Sequence, residues 1–310
     1  MNAGHNRGSG HHHHGTVTGA HRSRLAAVFG FTVSVLLVEV IGAFLSGSLA
    51  LLADAGHMLA DAAGILMALI AATLAQQAPT SRRTFGWQRV EILAAVVNAV
   101  LLIGLALYIL VEAIRRLVTP PEVASGLMLV VALIGLAANS ASLVLLHRAQ
   151  AESLNLRGAY LEVLGDLVGS LAVVVAAAVI AVTGWVAADA VASLAVGLVI
   201  LPRAWVLLRD AIDVLLEATP KHVDLDHVRE HIRCVAGVLD VHDLHAWTIT
   251  SGLPVLSAHV VVDETTISGG ETGRVLDALR TCLADHFDVE HSTFQIESVE
   301  HRGHEGPVHD

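Results

Sequence analysis

Cysteine is scarce in this 310-residue chain: there are two, Cys234 and Cys282, and no Cys-x-x-Cys motif. That excludes a thiolate zinc site and a thioredoxin-like redox site, and leaves two reduced, mostly buried thiols in a cytoplasmic domain as the expectation. An excess of basic residues is also missing, with 18 Lys and Arg against 29 Asp and Glu and a formal net charge of −11. Nucleic-acid binding is therefore not expected, because such binding rests on cationic contacts to phosphate. Residues 1–24 are polar and His-rich, without a basic start leading into an apolar core. No cleavable signal peptide is read there, and the first apolar helix is expected to target the chain.

Long apolar runs are abundant instead. Hydrophobic residues make up 54% of the chain and the mean hydropathy is +0.65, too apolar for an ordinary soluble domain. Six apolar segments run near 25–45, 49–75, 88–117, 123–147, 154–183 and 186–208. Each meets or approaches the roughly 20 residues needed to span the hydrocarbon core. Charge divides at the end of the sixth: residues 1–220 carry 12 Arg against 13 acids, and residues 221–310 carry 6 basic residues against 16 acids. The organisation read from this is a His-rich segment at 1–24, a six-helix transmembrane domain at 25–208, a cytoplasmic domain at 209–300 and a His- and acid-rich tail at 301–310.

Arginines orient the spans. Arg22, Arg24, Arg82, Arg83, Arg89, Arg148, Arg157, Arg203 and Arg209 all fall on one side, while the loops at 46–48 and 184–188 carry none. Both termini are thus expected in the cytoplasm of a multi-pass protein of the inner cell membrane. Arg115 and Arg116 lie on the opposite side and break the rule.

Within these spans stand two short charged patterns, His57-x-x-x-Asp61 and Glu162-x-x-x-Asp166. A spacing of four puts both members of each pair on one helix face, about 6 Å apart along the axis. Ionisable groups at membrane depth are costly and mark functional sites by default. Two such faces brought together offer one imidazole and three carboxylates to a divalent metal ion. The second and fifth helices also echo one another, as His57-x-Leu59-x-Asp61-x-x-Gly64 against Glu162-x-Leu164-x-Asp166-x-x-Gly169. Repeat symmetry around a midplane site and chance likeness between Ala- and Leu-rich helices both account for that echo. Asp54, one turn before His57, is read as an ion guide at the outer mouth or as polar lining. Glu39 and Asn98 are read as interhelical ties or as groups wetting the pathway, and Asp189 as interfacial.

The tail alternates like a soluble α+β domain. Val223–Cys234 has helical spacing, Gly237–Thr250 and Leu253–Val262 are strands joined by a Ser251-Gly252 hairpin turn, Thr272–Asp285 is a helix and Ser292–Val299 a last strand.

The chain resembles the cation diffusion facilitator family, of the zinc-transporting bacterial kind. The residues that carry the likeness are SLALLADAGHMLAD at 48–61, FGWQRVEIL at 85–93, NLRGAYLEVLGD at 155–166 and VHDLHAW at 241–247, in order over about residues 25–299. The resemblance implies a homodimer, six transmembrane helices per protomer, a cytoplasmic ferredoxin-like domain, and export of Zn²⁺ by exchange with protons through alternating access. It implies a transport site of His57, Asp61, Glu162 and Asp166, and a regulatory or structural zinc site of His242, His259, His291 and Glu297 in the cytoplasmic domain. His245, beside Trp247, is read as structural. One departure stands out: zinc members commonly carry His where this chain has Glu162. The extra carboxylate hardens the site and widens the expected tolerance toward Mn²⁺, Fe²⁺ and Co²⁺, alongside Cd²⁺.

Two other function classes compete. An intramembrane metalloenzyme would need an open coordination position and a motif such as His-Glu-x-x-His, absent from the helices, so no enzymatic activity and no resident cofactor of the membrane site are expected. A metal-sensing membrane scaffold that binds without transporting would need only the tail site, so the paired charges at membrane depth count against it. Arg89 and Glu91, beside Trp87, admit membrane anchoring or a charge interlock near the cytoplasmic helix ends. The terminal histidines (His5, His11 to His14 and His21; His301, His304 and His309) are read as weak metal capture, with a cloning remnant as the alternative for the run of four.

Overall fold

The computed structural model describes residues 19–75, 77–149, 154–287 and 291–304. Six long helices come first: α1 (Gly19–Ser46), α2 (Leu49–Ala75), α3 (Val90–Val118), α4 (Ser125–Ala149), α5 (Leu154–Thr183) and α6 (Ala187–Leu215). Among the described residues, α3, Ser125–Val144 of α4, Val163–Thr183 of α5 and α6 are long and apolar enough to cross a membrane, and Gly30–Ser46 of α1 is a shorter apolar stretch. Helix α6 continues past residue 208, because hydropathy reports the apolar span and not the helix end. Its last turns are amphipathic, with Arg209 Nε 4.0 Å from Asp213 Oδ2. The helix stops where Glu217 adopts a left-handed backbone (φ 58°), which lets the Ala218 N–H bond the Asp213 carbonyl at 2.9 Å. Glycine usually holds that position, so the sequence carries no glycine signal there, and Pro220 follows three residues on.

The chain divides into two compact units, one of residues up to Ile65 with Leu105–Val199, the other of Leu66–Gly104 with Ile200 onward. The first unit packs tightly on small residues. A Cβ on Gly42 of α1 would fall 2.6 Å from Val131 Cγ2 of α4, so only glycine admits this approach. Ala43, Leu51, Met128, Val173, Ala177 and Ala192 close one apolar cluster there.

One end of that unit is locked by a carboxylate. Asp189, near the start of α6, is 1% exposed. It accepts hydrogen bonds from the Ser48 hydroxyl at 2.5 Å, the Leu49 N–H at 2.8 Å and the Ala50 N–H at 3.1 Å. It therefore caps α2 from another helix, satisfying donors that a helix start leaves unpaired and complementing its dipole. The Arg116 guanidinium stands 3.6 Å from Asp189 Oδ2, donates to the Gly47 carbonyl at 2.7 Å, and meets Glu112 at 3.2 Å. Asp189, expected at the interface, is thus buried among the helix starts and spent on structure. The same geometry accounts for one of the arginines that breaks the topology rule, since Arg116 is consumed by this ion pair.

The tail contains α7 (Leu225–Arg233), β1 (Val238–Thr248), β2 (Pro254–Val262), α8 (Glu264–Ser268), α9 (Thr272–Phe287), β3 (His291–Ser298) and α10 (Val299–Arg302). The sheet order is β1-β2-β3, with β1 antiparallel and β3 parallel to β2. The expected α-β-β-α-β order is present; α8 and α10, of five and four residues, are too short to show a helical period. Asp224 caps α7 by accepting from the Asp226 and His227 N–H groups. Val228 and Ile232 of α7 and Leu279 and Leu283 of α9 pack against Leu256 and Val260 of β2. Cys282 is half-buried, with its thiol toward the His231 carbonyl at 3.8 Å, but Cys234 is exposed, correcting the expectation of burial: it is the C-cap of α7, at a surface helix end. Burial raises the Asp240 carboxyl, but hydrogen bonds from Arg233, the Val241 N–H and Arg302 outweigh it and hold the group down at about 2.

Candidate metal centres

In the first unit, His57 Nε2 lies 2.6 Å from Asp166 Oδ1, joining α2 to α5. Asp166 is buried and His57 half-buried. The backbone is helical through both four-residue patterns, but the side chains of Asp61 and Glu162 lie outside the described residues. One member of each sequence pair is therefore seen in contact with one member of the other, an imidazole against a carboxylate at membrane depth.

A second polar group begins one turn away. Asp54, 3% exposed, accepts from the Ser170 hydroxyl at 2.9 Å, and Ser170 Oγ accepts from the Asn139 amide at 3.0 Å. Asp54 is thus tied to α5, and α4 contributes through Asn139. The sequence reading passed over Ser170 and Asn139; the available signal was weak, because single hydroxyls and amides sit in membrane helices at little cost. Glu39 of α1 is fully buried, and among the described residues neither carboxylate oxygen has a hydrogen-bond partner.

The tail holds a second centre. His242, His259 and Glu297 place one ligand atom each within 4.8 Å of one another, the only such group of three among the described residues. Register explains it. His242 on β1 pairs with His259 on β2, and Val261, two residues on and thus on the same face as His259, pairs with Glu297 on β3. His242 Nε2 stands 2.5 Å and His259 Nδ1 3.5 Å from the buried Glu297 carboxylate. Two imidazoles and a carboxylate are donors that suit zinc. His291 lies elsewhere: parallel pairing sets it opposite Val255, and its exposed ring meets the edge of Phe85 at 5.6 Å between centroids. His245 Nε2 bonds Asp243 Oδ1 at 2.7 Å, and Asp243 Oδ2 is 3.5 Å from His259 Nε2. Asp243 sits in a bulge with φ 48°. If the three hold zinc, His242→Ala should lower the affinity by at least the about 10–100-fold that loss of a ligand's own hydrogen-bond partner costs, as read by competition with a zinc chelator.

The charges after Trp87 separate into two roles. Arg89 Nη2 pairs with Glu217 Oε1 at 2.7 Å, an interlock between the start of the third span and the end of the sixth. Glu91 accepts from the Thr250 and Ser251 hydroxyls at 2.7 and 3.0 Å, fastening α3 to the hairpin turn of the tail. Of the terminal histidines, His301 and His304 are exposed, whereas His5, His11 to His14 and His309, and the side chain of His21, lie outside the described residues.

Comparison with known proteins agrees over nearly the whole chain. The model of the cation efflux transmembrane domain matches residues 25–216, and that of the cation efflux protein cytoplasmic domain matches residues 220–299. The metal cation efflux system protein CzcD of Cupriavidus metallidurans is 44% identical over 94% of this chain and 90% of its own length. The zinc transporter ZitB of Escherichia coli is 45% identical over 88% of this chain and 87% of its own. The cadmium, cobalt and zinc/H(+)-K(+) antiporter of Bacillus velezensis is 42% identical over 94% and 93%. With six long helices, an α+β tail and a histidine–carboxylate contact between its second and fifth helices, this multi-pass membrane protein belongs to the cation efflux family, the cation diffusion facilitators.

Proposed function

We propose that the chain exports Zn²⁺ from the cytoplasm in exchange for protons, with both termini cytoplasmic and with Cd²⁺, Co²⁺, Fe²⁺ and Mn²⁺ as lesser cargoes. The single observation that carries this reading is the 2.6 Å contact between His57 Nε2 and Asp166 Oδ1 inside an apolar unit. His57, Asp61, Glu162 and Asp166 form the transport site in this reading. Facing the cytosol they bind metal with loss of protons; facing a more acidic exterior they take protons, which compete with metal and release it. Imidazole, with an unperturbed pKa near 6.5, suits that exchange. The names of the zinc, cobalt and cadmium relatives support the cargo class, and the antiporter among them supports exchange.

In the tail, His242, His259 and Glu297 would hold a regulatory zinc that offsets the acidity of the domain. The match to the family's cytoplasmic domain supports a homodimer. The scaffold alternative, binding without transport, leaves the His57–Asp166 contact without a purpose. Flux into proteoliposomes under an imposed pH gradient tests the reading, with Zn²⁺, Cd²⁺, Co²⁺ and Mn²⁺ compared. Glu162→His should narrow the accepted metals toward zinc, since imidazole replaces a hard oxygen donor. An unchanged ratio of Mn²⁺ to Zn²⁺ flux would remove Glu162 from the site.

A further inference from the structure

The buried Glu39 has no role in the metal site as described, and its surroundings are built around it. Its carboxylate occupies the notch left by Gly135 of α4: a Cβ there would fall 2.1 Å from Glu39 Oε1 and 3.9 Å from Ser170 Oγ. Ser170 already donates to Asp54 and accepts from Asn139, so its hydroxyl proton is not available to Glu39. Among the described residues neither Glu39 oxygen has a hydrogen-bond partner. Ser170, whose Oγ borders the same notch, donates to Asp54 of α2 at 2.9 Å, so one hydroxyl links this notch to the Asp54 carboxylate, one turn from His57. Among the described residues, Asn139 of α4 and Ser170 of α5 supply the neutral polar chain that leads to Asp54.

An ionised carboxylate in such a place, without donor or counter-charge, is strongly unfavourable. A cation must therefore be present when Glu39 is enclosed. A metal ion would need several converging ligands, and among the described residues the one group of three His, Cys, Asp or Glu with ligand atoms within 4.8 Å of one another is in the tail. A proton needs one oxygen. We infer that Glu39 is a proton-carrying group, separate from the metal ligands, which exchanges its proton through Asp54 when a dication occupies or leaves the His57–Asp166 site. Arrival of the dication one turn from Asp54 favours loss of positive charge nearby. The O–H bond at Glu39 breaks, and the proton passes to the Asp54 carboxylate and then to water. Departure of the metal reverses the step.

This inference rests on proton-coupled export and is tested so that the two can fail separately. The full chain in proteoliposomes is assayed for zinc accumulation driven by a pH gradient and for exchange of zinc against zinc, which needs no net proton movement. Glu39→Gln should keep exchange, whereas loss of a metal ligand would lower affinity by more than the about 10–100-fold typical of losing a ligand's own hydrogen-bond partner. The same variant should lose pH-driven accumulation and the proton flux that accompanies it. Accumulation at the wild-type rate overturns the inference, as does loss of exchange in parallel with accumulation, which marks a packing or metal-binding role. Accumulation driven by a potassium gradient alone, and abolished by Glu39→Gln, also overturns it. Wild-type protein that moves zinc with no response to pH overturns proton coupling itself, and this inference with it. If Glu39→Gln does not reconstitute, Glu39→Asp keeps the question open to refutation: it should couple with a displaced pH midpoint, and an unmoved midpoint overturns the assignment.

Discussion

Asp166→Asn should abolish zinc flux while leaving the protein folded, with transport reduced at least about 100-fold. Asparagine has the shape of aspartate, and its amide oxygen can still accept a hydrogen bond from His57. A purely structural contact therefore survives the change with modest cost. A metal ligand does not, because the amide carries no charge to neutralise a dication and binds it weakly. The two readings of the 2.6 Å contact thus separate on one substitution. The measurement is zinc uptake into proteoliposomes beside a thermal-unfolding curve of the same preparation. Undiminished uptake would end the transport-site assignment; a collapsed unfolding curve would return the pair to a structural role.

Asp189→Ala should be among the most destabilising single changes in the membrane domain, by about 3–5 kcal/mol. It removes the acceptor for two backbone N–H groups and a hydroxyl, and leaves Arg116 without the carboxylate at 3.6 Å. Asp189→Asn separates these losses, since its amide oxygen can still accept from the α2 start while the charge is gone. Adding Arg116→Leu to Asp189→Asn should then recover part of the stability, because the stranded cation has been removed as well. Chemical or thermal unfolding of the wild type, Asp189→Asn, Arg116→Leu and the double variant completes a double-mutant cycle. A coupling energy near zero would mean that the ion pair contributes nothing and that Asp189 acts as a cap alone.

The spans, the hairpin at Ser251-Gly252 and the four-residue spacing of the charged pairs are all local patterns, and a linear reading recovers them. What it misses depends on which helices and strands become neighbours. Asp189 looks interfacial by position, and only the approach of the α6 start to the α2 start makes it a cap. Ser170 and Asn139 are unremarkable polar residues until α4 and α5 pack side by side around Asp54. The tail shows the same limit. His242, His259, His291 and Glu297 occupy suitable strands, but the parallel register of β3 on β2 decides which of them share a neighbourhood. Glu297 reaches the two histidines, and His291 is carried to the far end of its strand. The end of α6 is a further case, since a left-handed Glu217 carries none of the glycine signal that announces such a stop.

The bulge at Asp243 has a bearing on how copies of the tail domain can meet. β1 is an outer strand, and its register slips between His242 and His245. A continuous ribbon across two molecules requires evenly spaced amides along an open flank, and this flank is interrupted and charged. Strand addition at β1 is thereby discouraged, which directs any self-pairing toward the other outer strand, β3, or toward surfaces where side chains make the contact.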